Sequence, residues 1–350
     1  GRRMVSFSSY NYLGMSGDEK VSDFAKEAID SYGTSVSASR LVSGEKPVHR
    51  ELELALAGLI GTEDAIVYVG GHSTNETTIG HLFGSGDLIL HDELAHNSVM
   101  QGAALSGARR RGFAHNDWRH LDSILSEIRR DYRKVLIVVE GVYSMDGDFP
   151  ELPKFVELKQ RHKAFLMVDE AHSMGFIGEH GRGVAEAQGV LDDVDFVIGT
   201  FSKSVGTVGG FCVSNHPDFE IMRLVCRPYV FTASLPPSVV ATAATSIRKL
   251  MHGSNKRAHL WENSKRLHSG LKDLGFQLGT DEPQSAIVAV IMPDLTRGAQ
   301  MWEALLKEGL YVNLARPPAT PANMTLLRCS LCAEHSEEEV STILGMFERA

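Results

Sequence analysis

An α/β fold built on a mostly parallel sheet is predicted by three observations. Short apolar runs recur between Asp64 and Asn215, helix-length stretches separate them, and polar residues collect just after the runs end. The runs are Ala65–Val69, Leu88–Leu90, Val135–Val139, Ala164–Val168, Val194–Ile198 and Gly210–Val213. Such continuous apolar strands suit a sheet covered on both faces. The intervening helices are expected near Ser73–Phe83, Ser98–Gly107, Arg119–Arg130 and Leu152–His162, joined by right-handed crossovers. Functional residues then gather at one edge of the sheet.

After Pro228 the texture changes. Phe231-Thr-Ala-Ser-Leu-Pro-Pro237 reads as a turn, followed by long helical stretches at Val239–Leu250 and Arg257–Leu274. Shorter strands (Ile287–Ile291, Tyr311–Leu314, Thr325–Cys329) and helices (Ala299–Glu308, Ser336–Phe347) predict a smaller α+β lobe. Ser336 followed by three glutamates is a helix start, with a capping hydroxyl and acidic first-turn residues. The expected division is an N-terminal segment, 1–20, joining the small lobe, a large domain over 21–232 and a small C-terminal domain over 233–350.

Composition narrows the class. The 350 residues are 43% hydrophobic and 23% charged, as in an ordinary globular protein too long for one core. A net charge of −9 argues against nucleic-acid binding, which needs concentrated Lys and Arg. The exception, Arg109-Arg110-Arg111, reads as a solvated helix end. Four cysteines make no disulfide scaffold and fit a reducing, cytoplasmic setting. Cys329-Ser-Leu-Cys332 has redox spacing but follows a strand-like run and lacks a second pair for zinc. No apolar stretch approaches membrane-span length. The start, Gly1-Arg-Arg-Met, falls almost on the first motif, which fits a domain fused within or cut from a longer chain.

Two landmarks carry the chemistry. Val168-Asp169-Glu170-Ala171-His172 and Gly199-Thr200-Phe201-Ser202-Lys203-Ser204 each follow a buried strand. A carboxylate at one strand end and a lysine at a later one match the needs of pyridoxal 5′-phosphate. The lysine forms an imine, and the carboxylate keeps the pyridine nitrogen protonated. Ser202, Ser204, Gly206, Gly209 and Gly210 leave room for a ring beside Lys203. Asp169 lies one strand–helix–strand unit upstream, although a carboxylate there could equally cap the next segment. His172 could reach the phenolic oxygen, although a lone histidine is more often structural. Glu170 is expected to point away or to support the loop.

Gly70-Gly71-His72-Ser73 opens a helix after a strand, so its amides could cradle a phosphate. His96, after another strand, would lay a flat ring over the cofactor. His91, Glu93 and His96 lack zinc-helix spacing, so no metal is expected. Glu140 and Ser144 end a further strand and could orient the ring or the substrate. Arg316 on its Pro-Pro turn could receive an amino acid carboxylate, or could be a solvated loop residue.

Taken together, these motifs resemble the α-oxoamine synthases, fold-type I pyridoxal-phosphate enzymes. The likeness runs nearly end to end, through Ser9-Tyr-Asn-Tyr-Leu-Gly14, Ser39-Arg-Leu-Val-Ser-Gly44 with His49 and Leu52-Glu53, the histidine, aspartate and lysine motifs, and Arg316-Pro-Pro. The resemblance implies a seven-stranded, mostly parallel sheet with a smaller α+β domain. It implies Lys203 as imine lysine, Asp169 on the pyridine nitrogen, His172 on the phenolic oxygen, His96 over the ring and Ser144 among the cofactor contacts. Phosphate contacts are implied from Gly71, His72, Thr200 and Ser202, with Thr232 donated across a homodimer interface, and Asn11 and Arg316 on the substrate carboxylate.

The implied reaction joins a small amino acid to an acyl thioester with loss of carbon dioxide, giving an α-amino ketone. The sequence leaves open glycine, alanine or serine, the acyl chain, and coenzyme A or an acyl carrier protein as its bearer. Gly33-Thr-Ser-Val-Ser-Ala-Ser-Arg40 and His115-Asn-Asp-Trp118 are most similar to synthase domains of polyketide assembly lines. An aminotransferase or lyase on the same fold would share the lysine and aspartate.

Overall fold

The computed structural model describes residues 1–320 and 324–350. Its strands are β1 (Val5–Ser6), β2 (Ala65–Tyr68), β3 (Leu88–Asp92), β4 (Arg109–Phe113), β5 (Val135–Glu140) and β6 (Phe165–Asp169), then β7 (Phe196–Thr200), β8 (Gly210–Val213), β9 (Ile287–Met292), β10 (Leu310–Tyr311), β11 (Asn313–Ala315) and β12 (Thr325–Ser330). The helices are α1 (Glu19–Tyr32), α2 (Pro47–Ile60), α3 (Gly71–Leu82), α4 (Asn97–Ser106), α5 (Trp118–Ile128), α6 (Leu152–His162) and α7 (Val184–Ala187), then α8 (Met222–Val225), α9 (Arg227–Phe231), α10 (Pro237–Met251), α11 (Ser254–Asp273), α12 (Leu295–Glu308) and α13 (Glu337–Arg349).

The chain forms two compact units: Met15–Gly141 with Pro150–His252, and Gly1–Gly14 with Val142–Phe149 and Gly253–Ala350. The larger holds a seven-stranded sheet in the order β2-β8-β7-β6-β5-β3-β4. From β4 to β7 every pairing is parallel, and β8 runs antiparallel to both its neighbours. Strands β5 and β7 are buried along their whole length, as a sheet covered on both faces by helices requires. Ile66, Ile89, Leu136, Val138, Met167 and Ile198 anchor the core against α3 and α4.

Local chemistry sets the helix ends. The Asp18 side chain accepts from Val21 N–H to start α1, Pro47 opens α2, and Asp117 accepts from the amides of Arg119 and His120 at α5. The sequence pattern did not bring out α1 and α2. It also suggested a helix end at Arg109–Arg111, whereas these residues form β4. Among the described residues this edge strand pairs only with β3, and its exposed arginines discourage further pairing.

The smaller unit holds the antiparallel sheet β11-β12-β9, the parallel pair β1-β10, and helices α11 to α13. Ser336 and Glu339 form a reciprocal capping box at α13. The domain division expected from sequence drew its line at 232/233. In the structure α10 packs on α1 and α2 and stays with the larger unit. Val142–Phe149, in contrast, belongs to the smaller one. Ser285 Oγ donates to the Gly147 carbonyl at 2.8 Å, and Phe149 N donates to Gln284 Oε1 at 3.2 Å. Cys329 and Cys332 are free and buried, and burial pushes the Cys329 thiol up to about 12, away from a reactive thiolate. Among the described residues no helix is long and apolar enough to cross a membrane.

Candidate active site

The parallel sheet delivers its polar residues in register. Glu140 ends β5 and Asp169 ends β6 directly opposite it, while Thr200 ends β7. Both carboxylates are buried. Asp169 is held by two donors: Oδ1 accepts from Ala171 N at 3.0 Å and Oδ2 from Asn75 Nδ2 at 2.7 Å. Its neighbour Glu140 accepts from the His96 main-chain N–H at 2.6 Å. Burial, with the charge of Asp169 adding to it, pushes Glu140 up to about 8, while Lys203 and the His96 amide pull the other way. Lys203 follows β7 in a half-buried position.

His96 caps α4, and its Nδ1 accepts from Ser98 N at 3.3 Å. Although much of the residue is exposed, desolvation of the ring lowers its pKa. Lys203 and His72 push in the same direction and Asp169 opposes them. The rings of His72 and His96 meet edge to face, 5.9 Å apart. His172 is buried three residues after Asp169. Glu170 supports the loop, accepting from Val184 N and Ala185 N at 2.9 Å each and from Ser173 Oγ.

Helix α3 starts at Gly71 without a side-chain cap. Its cap residue, Gly70, has no side chain to accept from the first-turn amides. A Cβ at Gly71 would sit 2.8 Å from Thr200 Cβ, so this helix end abuts β7 closely. Thr200 and Ser202 hydroxyls lie 2.8 Å apart. Thr232 is in the same unit and lines a shallow pocket with Ser73, Thr77 and Arg40.

These residues fit pyridoxal 5′-phosphate: an amine, an ionisable carboxylate held by two donors, a flat ring and an uncapped helix start beside two hydroxyls. Two buried atoms of the same region, Asn75 Oδ1 and Ser204 Oγ, have no protein partner among the described residues. Asn11, Ser144 and Arg316 belong to the smaller unit. There Arg316 is exposed, while Arg328, which the sequence pattern did not single out, is buried on β12. Arg328 Nε donates to the Ser144 carbonyl, Nη2 lies 3.4 Å from Tyr12 Oη, and Nη1 has no partner among the described residues. A charge inside a buried apolar strand was the available signal. Asn75 and Ser98 carried none, since amides and hydroxyls early in a helix usually cap it.

The aminotransferase class I and II family matches residues 2–347. The chain belongs to that family. Within it the chain is an α-oxoamine synthase, of a group that uses pyridoxal 5′-phosphate. It is 51% identical over 350 residues to serine palmitoyltransferase of Sphingomonas paucimobilis, covering 100% of this chain and 83% of that protein. It is 39% identical over 347 residues to 8-amino-7-oxononanoate synthase of Pelobacter propionicus, covering 97% and 87%. The solved serine palmitoyltransferase of Sphingomonas wittichii superposes with a TM-score of 0.98 at 56% identity, covering 100% of this chain and 87% of that one.

Proposed function

We propose that this α-oxoamine synthase condenses L-serine with a long-chain acyl thioester, releasing carbon dioxide and the thiol and leaving an α-amino ketone. The observation that carries the reading is the set at the carboxyl edge of the sheet: Asp169 held by two donors, Lys203 after the next strand, and His96, whose main-chain N–H donates to Glu140 opposite Asp169. Identity of 51% and 56% to two serine palmitoyltransferases supports serine and a palmitoyl-class donor over glycine and shorter chains.

Bound there, the cofactor supplies an electron sink for the carbanion formed at the amino acid Cα. Lys203 would supply the amine that holds it and the base for the α-proton. Asp169 would be the carboxylate for its ring nitrogen, and His172 a donor beside it. Gly71 and His72 amides, Thr200 and Ser202 would hold its phosphate. His96 would be the flat ring beside it. In the smaller unit Arg328, with a spare buried donor, and Arg316 receive the serine carboxylate together with Asn11, and Ser144 fixes Arg328 through its carbonyl.

A second copy of the chain completes the enzyme, bringing Thr232 to the partner's phosphate. Support comes from exposed apolar residues on the larger unit: Leu41 and Val42 in the Arg40–Gly44 segment, which contacts α9, and Leu224, Val225 and Phe231 of α8 and α9. Val42 is 80% exposed and Phe231 76%.

The test is purified protein reconstituted with cofactor and given serine with palmitoyl-coenzyme A, then with palmitoyl on a carrier protein, as the polyketide-like stretches would have it. Carbon dioxide and an amino ketone by mass spectrometry are expected from serine. A keto acid without carbon dioxide would assign an aminotransferase instead, and light scattering at monomer mass would remove the shared site.

A further inference from the structure

Four side chains of the larger unit form a continuous hydrogen-bonded line that the proposed reaction does not by itself require. His96 Nδ1 lies 2.7 Å from Ser98 Oγ, Ser98 Oγ is 3.0 Å from Asn75 Nδ2, and Asn75 Nδ2 is 2.7 Å from Asp169 Oδ2. Asn75, Ser98 and Asp169 are all buried. The directions of these bonds can be worked out from the chemistry of the groups. Asp169 is an acceptor, so the Asn75 amide must turn its NH₂ toward it. The other amide hydrogen then points at Ser98 Oγ, which accepts. The Ser98 hydroxyl hydrogen is left to donate to His96 Nδ1. The Ser98 main-chain N–H converges on the same nitrogen at 3.3 Å. Two donors aimed at Nδ1 place the neutral ring's hydrogen on Nε2.

We infer that Asn75 and Ser98 are positioning residues that tie the ring of His96 to the carboxylate of Asp169 and lock His96 as the neutral Nε2–H tautomer. The inference rests on reading His96 as the residue over the cofactor, and it specifies what that residue offers: an N–H donor at Nε2 and no charge. The helix start beneath the ring acts in the same sense, since the positive end of α4 disfavours an imidazolium. So do Lys203 beyond β7 and His72 of α3, while Asp169 of β6 opposes them and Glu140 of β5 grips the His96 main chain. The relay also makes the positions of Asp169 and His96 interdependent. A carboxylate pulled toward Asn75 holds the amide that orients Ser98, so Asp169 can set the ring of His96 without touching it.

The test uses histidine-labelled protein with ¹⁵N in both ring positions, read by long-range proton–nitrogen correlation without cofactor and again with it. His96→Gln identifies the His96 signals by their loss. Nε2–H is expected in the parent protein. Ser98→Ala should give a mixture of tautomers and raise the His96 pKa by up to about one pH unit, because one donor to the neutral form is gone. Ser98→Thr, which keeps the hydroxyl, should restore both, and Asn75→Ala should fall between. Circular dichroism confirms folding of each variant, and the near-isosteric Ser98→Cys serves if Ser98→Ala does not fold. Nδ1–H in the parent protein, or a Ser98→Ala spectrum matching the parent, overturns the inference. Failure of the parent protein to bind pyridoxal 5′-phosphate would instead sink the reaction assigned above, and the tautomer measurement would stand.

Discussion

Gly71→Ala isolates the phosphate cradle from the rest of the site. An added Cβ would lie 2.8 Å from Thr200 Cβ and 2.9 Å from its Oγ1. Carbon contacts settle at about 3.5–4.0 Å, so the start of α3 must retreat from β7 by roughly 1 Å. That shift stretches bonds of about 2.9 Å to about 3.9 Å, past the range in which an N–H···O bond is effective. Each charge-assisted bond to a phosphate contributes about 1.5–3 kcal/mol, so losing two weakens cofactor binding by about 3–6 kcal/mol, or roughly 10²- to 10⁴-fold. The helix itself gains, since alanine is the better former by about 1 kcal/mol, so global stability should change little. Gly70→Ala is the matched control: its φ is −172°, open to any residue, and its Cβ would meet only Ser73 Oγ at an ordinary 3.6 Å. Titration of the visible absorbance with pyridoxal 5′-phosphate reads both. Parent-like affinity in Gly71→Ala, or equal losses in the two variants, would refute the cradle.

Buried charge leads to two further outcomes. Glu140 has its folded pKa raised from 4.5 to about 8, so its contribution to stability is whole below pH 4.5 and lost as pH rises through 8. Denaturant midpoints of cofactor-free protein between pH 5 and 9 should therefore fall less for Glu140→Gln than for the parent. Buried Glu53 accepts from Arg223 at 2.9 Å, Arg40 at 3.2 Å and Arg50 at 3.4 Å, and from Val67 N at 3.3 Å. Arg223→Ala should destabilise the larger unit by about 2–3 kcal/mol by denaturant unfolding, below the ~3–5 kcal/mol of a wholly broken buried pair because Arg40 and Arg50 still face Glu53.

The strands that carry Asp169 and Thr200 were legible because a strand buried on both faces must be uniformly apolar. A polar residue at the end of such a run is then conspicuous. Leu152–His162 was legible to the residue, helped by its Pro153 start and basic last turn. The edge strand β4 was not, because an edge obeys solvent rather than packing, and Arg-Arg-Arg fits a helix end as well as an exposed strand. Helices α1 and α2 stayed hidden although Asp18 and Pro47 mark their starts. Lys203, Asp169 and His96 stood out by chemistry after apolar runs, and the structure puts Asp169 at the end of β6, Lys203 after β7 and His96 at the start of α4. Their supports were not. Asn75 and Ser98 matter through one another, on different helices, and that pairing is a product of the fold. Arg328 was hidden inside a strand conspicuous only for its apolar pattern.

Incomplete satisfaction of buried polar atoms points the same way in both units. A buried donor or acceptor left without a partner costs about 1–3 kcal/mol, and packing can usually remove it. Among the described residues, Asn75 uses both amide hydrogens with no partner at Oδ1, while Arg328 uses Nε with no partner at Nη1. In each case the used half of the group is fixed by named neighbours: Asp169 and Ser98 for the amide, the Ser144 carbonyl for the guanidinium. A group held at one end by named neighbours leaves its other atom open to a water or a ligand. The larger unit's spare acceptor sits among the residues proposed to hold the cofactor. The smaller unit's spare cation has the chemistry of a carboxylate receptor. Each group bears its desolvation cost in the protein as it stands, which the proposed cofactor and carboxylate contacts would offset.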